Sequence, residues 1–140
     1  MILFCDTSAL VKFYVVEDGT DIMAEQAATS DAIAVCRIAW VEIMSAMARR
    51  VRERPKDAAA ITRARKRVVA DWPHYLKLEI TQELVELAGD YADAFALRAY
   101  DGVQLAAAQT LHQELPGEVR FACFDNRLSK AARVLGIEAV

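Results

Sequence analysis

Histidine, cysteine, glycine and proline are all scarce in this chain, and each shortage closes off a class of chemistry. Among 140 residues there are 2 His and 3 Cys, and neither histidine has a partner at metal-ligand spacing. His74 and His112 therefore read as surface or edge residues. Cys5, Cys36 and Cys123 are far apart and each lies in an apolar run, so they read as reduced core residues, not as a disulfide framework or a zinc site. With 5 Gly and 3 Pro the chain carries no Gly-rich phosphate loop and no dinucleotide fingerprint. No apolar run approaches the ~18 residues a bilayer span needs, and Asp6 interrupts the first of them. No basic stretch leads into a cleavable apolar segment either, so the expectation is a cytoplasmic protein without a membrane partner. What remains, 55% hydrophobic and 26% charged residues, suits one compact domain over 1–140 that can bury a core without staples.

Positive charge is slightly outnumbered overall and concentrated locally. The net charge is −3, which argues against a polyanionic partner until its distribution is read. Between Arg49 and Arg67 stand Arg49, Arg50, Arg52, Arg54, Lys56, Arg63, Arg65, Lys66 and Arg67, against Glu53 and Asp57. Nine cations and two anions give +7 there and leave −10 for the rest. Such asymmetry points to a polyanion, although a solvated helical hairpin would carry the same residues.

The chain opens on Met1-Ile2-Leu3-Phe4-Cys5 and runs straight into Asp6-Thr7-Ser8. A short continuous apolar run predicts a strand buried on both faces, as in a parallel sheet. Asp6 would sit at its carboxyl end, where open α/β sheets place ligands, though a plain helix N-cap fits it too. Thr7 to about Val16 reads as a short helix, and Asp21–Ala28 as a second. Ile33–Cys36 is a second buried strand. From Ala39 the period turns helical, with Val41, Met44, Ala48 and Val51 expected inward. Glu42 lies near the start of this helix, and Ser45, Ala46 and Arg49 share its face. Two small residues above a carboxylate leave room for a ligand, and Arg49 could meet a phosphate. A second helix, Lys56 to about Asp71, completes a basic hairpin over about 39–71.

Tyr75–Ile80 alternates as a strand near a sheet edge, and 82–98 reads as a long amphipathic helix with Leu84, Leu87, Ala88, Tyr91 and Phe95 inward. Asp101 then opens an alanine-packed helix and shares its inner face with Leu105 and Ala108. Val119–Phe124 runs into Asp125 and a further helix, repeating the opening design. Gly136 closes that helix, and 137–140 is a last strand. If the strands ending at positions 6 and 125 are neighbours, Asp6 and Asp125 face each other.

Asp6, Glu42, Asp101 and Asp125 thus all stand at strand ends or helix starts. Carboxylates gathered without basic partners repel one another and hold protons, unless a cation sits among them. A hard divalent ion with oxygen ligands meets that need. One or two such ions can activate water and stabilise the oxygens of an in-line phosphoryl displacement. A basic hairpin beside such a pocket would hold a nucleic-acid backbone.

Four segments carry a resemblance to a known family: Phe4-Cys5-Asp6-Thr7-Ser8-Ala9-Leu10, Glu42 after the second strand, Tyr100-Asp101-Gly102-Val103-Gln104-Leu105-Ala106-Ala107-Ala108, and Phe124-Asp125-Asn126-Arg127-Leu128. In this order and over essentially the full length, the chain resembles a PIN domain, and specifically the VapC-type toxin ribonucleases of bacterial and archaeal toxin–antitoxin pairs. The resemblance implies a three-layer α/β/α sandwich around a parallel five-stranded sheet of order 3-2-1-4-5. It implies Mg²⁺- or Mn²⁺-dependent endonucleolytic hydrolysis of RNA. Asp6, Glu42, Asp101 and Asp125 would be the catalytic metal-holding residues, with Thr7 or Ser8 as a supporting hydroxyl; the charge of the basic hairpin, apart from the resemblance, makes Arg49 and Arg52 the expected RNA contacts. The resemblance further implies a homodimer and a cognate VapB-type antitoxin whose C-terminal segment lies across the site.

Two positions depart from the family pattern. Cys123 stands where Ser or Thr is usual two residues before the last Asp, and a thiol is the poorer hydrogen-bond donor. Gly102 stands where Ala is usual, which should loosen the helix start by about 1 kcal/mol. Two alternatives stay open at this stage. One is a non-catalytic RNA- or partner-binding module on the same fold. The other is a Mg-dependent phosphotransfer or receiver-like domain, although Asp6 is followed two residues on by Ser8 rather than by a second Asp.

Overall fold

The first strand is central to the sheet and buried over its last three residues. In a computed structural model describing residues 1–140, β1 covers Ile2–Cys5 and pairs in parallel on both sides, with β2 (Ala32–Cys36) and with β4 (Val119–Ala122). β3 (Leu76–Leu78) joins outside β2, and β5 (Glu138–Ala139) outside β4. The sheet is therefore five-stranded and all parallel, in the order β3-β2-β1-β4-β5. The edge position expected for the third strand is where it lies.

Strand alternation divides the core in two. Phe4, Ala34, Cys36 and Phe121 face α5 (Gln82–Phe95), α6 (Ala99–Glu114) and α7 (Asn126–Val134). Leu3, Cys5 and Val35 face α1 (Thr7–Leu10), α2 (Thr20–Ala28), α3 (Ile38–Glu53) and α4 (Ala58–Asp71). This is the outcome of right-handed crossovers. The chain winds outward from β1 to β3 over one face, then returns to β4 and β5 over the other. The strand order reverses between β1 and β4, so a crevice opens at their carboxyl ends.

Several boundaries differ from the periodicity reading. The first helix is α-helical only to Leu10 and tightens to a 3₁₀ turn over Val11–Phe13, instead of running to Val16. The long helix stops at Phe95, because Ala96 adopts a left-handed conformation (φ 53°) and turns the chain into α6. Arg127 Nη1 donates to the Ala96 carbonyl at 2.9 Å and holds that bend. On α3 the fully buried stripe is Ala39, Ile43 and Met47; of the residues expected inward, Met44 and Val51 pack half-buried against the same core and Val41 does not. Both stripes are apolar at helical spacing; packing against β1, β2 and α4 selects the first and leaves Val41 52% exposed.

Gly102 also departs from expectation. A Cβ built there would lie 2.7 Å from the Ala88 backbone carbonyl. The residue is buried where α6 crosses α5, so the missing side chain permits the close approach instead of merely weakening the helix. All three cysteines are free and buried, as their apolar settings indicated. No helix is long and apolar enough to cross a membrane.

Candidate functional site

The four acids lie at the carboxyl edge of the sheet, each delivered by a different connection. Asp6 follows β1 directly and is only 4% exposed. Its backbone N–H donates to the Ala122 carbonyl at 3.1 Å, which carries the pairing with β4 one residue past the strand. Glu42 projects from the first turns of α3, Asp101 is the third residue of α6, and Asp125 caps α7.

The bland reading of two of them is correct as far as it goes. Asp6 Oδ1 accepts from Ala9 N at 2.9 Å and Asp125 Oδ1 from Leu128 N at 2.8 Å, so both cap helices. Capping occupies one oxygen of each. Asp6 Oδ1 also takes the Ser8 hydroxyl at 2.7 Å. Glu42 does the same with Oε1, which accepts from Thr7 Oγ1 and from Gln104 Nε2, each at 2.8 Å. In all three the second oxygen accepts nothing from the protein. Asp101 is not a cap and has no hydrogen bond among the influences on its ionisation. None of the four takes part in an ion pair.

Ser8 and Gln104 tie this set together. Ser8 Oγ donates to Asp6 and accepts from Phe124 N at 3.0 Å, so one hydroxyl spans the ends of β1 and β4. Gln104, only 2% exposed, reaches Thr7 Oγ1 at 3.2 Å as well as Glu42, and so joins α6 to α1 and α3. Its Oε1 is buried without a partner. Sequence reasoning passed over Gln104 as one polar residue in a motif. The available signal was its place one turn after Asp101 in a run that is otherwise apolar.

The electrostatics follow from burial and crowding. Asp6 is pushed up to about 7, chiefly by burial; the Ser8 and Ala9 hydrogen bonds oppose this, and the charges of Asp101 and Glu42 add to it. Asp101 is raised by burial, then by Asp125 and Glu42, with Arg98 opposing. Asp101 thus feels the charges of Asp125 and Glu42 and adds its own to those acting on Asp6, and the two strands that end at Asp6 and Asp125 are neighbours.

Cys123 does not address the acids. Its sulfur lies 3.0 Å from Ser129 Oγ and 3.5 Å from the Asp125 carbonyl. Burial, and then Asp6, push the thiol up to about 11, so it stays protonated.

The basic hairpin borders the site only in part. Arg50 is paired with Asp57 at 3.2 Å, and Arg67 donates to the Phe13 carbonyl. Arg49 and Arg52 instead line a groove of about 450 Å³ that also takes in Thr7, Glu42 and Tyr100.

A divalent cation fits this donor set by its chemistry: hard oxygens in no ion pair, and burial and mutual repulsion that already raise two of the acids. In the rotamers present, no three acidic, histidine or cysteine side chains converge closely enough to hold one ion together. That is compatible with Mg²⁺, which usually takes only one or two carboxylates directly and keeps several waters.

Comparison with known proteins agrees with this geometry. The sequence pattern of the PIN domain matches residues 3–134. Ribonuclease VapC45 of Mycobacterium tuberculosis is 30% identical over 135 residues, 96% of this chain and 92% of that protein. Among solved structures, PAE2754 from Pyrobaculum aerophilum superposes with a TM-score of 0.68 at 18% identity, covering 100% of this chain and 84% of the other. A chain of a toxin–antitoxin complex from Klebsiella pneumoniae gives 0.58 at 21% identity, covering 89% and 87%. With its strand order, its carboxyl-edge acids and these relatives in agreement, the chain belongs to the PIN-domain family, among the VapC proteins.

Proposed function

We propose that this protein is a metal-dependent endoribonuclease, the toxin of a VapBC-type pair, which blocks translation by hydrolysing RNA. One observation carries the reading: four carboxylates are ranged along a sheet's carboxyl edge, in no ion pair, with three keeping a second oxygen unbonded. The relatives, a ribonuclease and a chain of a toxin–antitoxin complex, point the same way.

In this reading Asp6, Glu42, Asp101 and Asp125 hold Mg²⁺ or Mn²⁺. The ion would supply a nucleophilic water and neutralise charge at the scissile phosphate. The chain's own residues hold the geometry. Ser8 fixes the Asp6 carboxylate, so that Oδ2 is the atom presented. Thr7 and Gln104 fix Glu42 through Oε1, leaving Oε2. Arg49 and Arg52 bear on the RNA backbone beside Glu42. A cognate VapB-type antitoxin as inhibitor, a homodimer and a cytoplasmic location complete the proposal.

The test is cleavage of total cellular RNA by the purified chain in EDTA, in Mg²⁺ and in Mn²⁺, beside Asp101→Asn. Metal-dependent cutting that the variant loses, with RNA binding largely kept, is the expected result. Equal cutting by both proteins sinks the assignment of the acids. No cutting in any metal favours a binding module on the same fold.

A further inference from the structure

The groove beside Glu42 has a feature that phosphate contacts do not explain. Two large apolar side chains line it while standing exposed: Tyr100, 55% exposed just before Asp101, and Val41, 52% exposed just before Glu42. Neither belongs to either buried core. Each adjoins a carboxylate of the site in sequence, and the two come from different helices, α6 and α3. Ala46, one turn beyond Glu42, keeps the floor low. Arg49 and Arg52 line the same groove. Arg52 is in no ion pair, and Arg49 reaches only the exposed Glu53 at 3.9 Å. The groove thus presents an aromatic ring, an aliphatic wall and two cations within about 450 Å³, in the size range of small-ligand sites of ~300–1,000 Å³.

We infer that this groove is a nucleobase subsite. It takes the base of one nucleotide next to the scissile phosphate, stacked on Tyr100 and flanked by Val41, with the adjoining phosphate on Arg49 and Arg52. The inference rests on the nuclease reading for the position of the scissile phosphate. The mix of groups favours a polynucleotide over a protein segment. An acidic peptide would meet Glu42 and Asp101, and a basic one would meet Arg49 and Arg52. A nucleotide chain offers both an uncharged flat base and a charged phosphate. Stacking on an aromatic side chain tolerates any base but requires that the base be there. The nucleotide in this groove must therefore be unstacked from its neighbours, and the sugar–phosphate backbone alone fills only the arginine side.

The experiment measures binding in EDTA, without turnover, by fluorescence anisotropy of labelled hexamers. The probes are oligo(A), oligo(U) and an abasic ribose-phosphate hexamer of equal charge. The wild-type chain should bind oligo(A) about tenfold more tightly than the abasic hexamer, the scale of one stacked base. Tyr100→Ala should erase that preference and Tyr100→Phe should keep it. Arg52→Glu should weaken all three probes alike and flatten their salt dependence. Circular dichroism of Tyr100→Ala guards against misfolding, which the ring's exposure makes a small risk.

A base preference that survives Tyr100→Ala overturns the subsite, as does equal weakening of oligo(A) and the abasic hexamer. So does failure of every probe to bind. Because no metal is present, these outcomes are independent of cleavage. A Tyr100-dependent base preference in a chain that cuts nothing would refute the nuclease and leave the subsite standing. Cutting by a chain whose Tyr100→Ala variant keeps the preference would do the reverse.

Discussion

Replacing Asp6 by Asn should make the protein more stable, and by an amount that depends on pH. In the fold this carboxyl is pushed up to about 7 from the ordinary 3.8. A raised carboxyl binds its proton more tightly when folded than when unfolded. Below pH ~3.8 both states are protonated and nothing is lost. Between about 4 and 7 the unfolded chain gives up the proton while the folded one retains it, and stability falls. Above about 7 the full penalty is present, roughly three pH units at ~1.4 kcal/mol each, or about 4 kcal/mol. Asn keeps an Oδ1 to accept from Ser8 and Ala9, so the substitution removes the charge without stripping the helix cap.

For a domain of this size 4 kcal/mol corresponds to a Tm difference on the order of 10 °C. The assay is thermal melting of wild type and Asp6→Asn in EDTA at pH 4, 5.5, 7 and 8. The gap should be small at pH 4 and widen through neutrality. Adding Mg²⁺ at pH 8 should raise the wild-type Tm by mass action and raise that of the variant far less. A variant no more stable than wild type at pH 8, or a gap as wide at pH 4, would refute the reasoning that a buried, crowded charge sits at this strand end.

Two further outcomes follow from contacts the fold makes. Gly102→Ala should cost about 1–3 kcal/mol in urea unfolding despite alanine's better helix propensity, because the new Cβ meets the Ala88 carbonyl at 2.7 Å; an unchanged midpoint would show that α5 and α6 can part freely. Gln104→Leu removes the donor shared by Glu42 and Thr7 and should lower kcat about tenfold with KM little changed, since Glu42 would be less firmly aimed; a change in KM alone would contradict that role.

How much of this was legible in the sequence differed from residue to residue. Asp6 and Asp125 could be found because a buried parallel strand is a short apolar run, and a carboxylate directly after one is a local signal. The sheet order came from the resemblance, and the pairing of β1 with both β2 and β4 bears it out. The inner face of α3 was only partly legible. That helix is apolar on more than one side, and only its packing partners decide between Val41 and Ile43. The misreading concealed Val41 as a groove residue, although Ser45, Ala46 and Arg49 were correctly placed on the Glu42 face. Gln104 was hidden for a related reason. A lone amide looks solvated until its helix proves buried nearly all round. Gly102 looked like a weak helix residue because the cost of alanine there is set by α5, fourteen residues back at Ala88.

The central place of β1 has a consequence in time. Its neighbour β4 pairs Val119 with Ile2, so the opposite wall of the crevice leaves the ribosome long after the first strand does. Synthesis at ~5–20 residues per second puts several seconds or more between the two. During that interval Phe4 lacks Phe121, Ser8 lacks Phe124 N, and the strand edge that β4 will cover is open. The sheet's β1–β2–β3 side can assemble early, but the acid cluster cannot, because Asp101 and Asp125 arrive with the final third of the chain. A growing chain therefore carries its basic hairpin well before it carries a complete set of carboxylates.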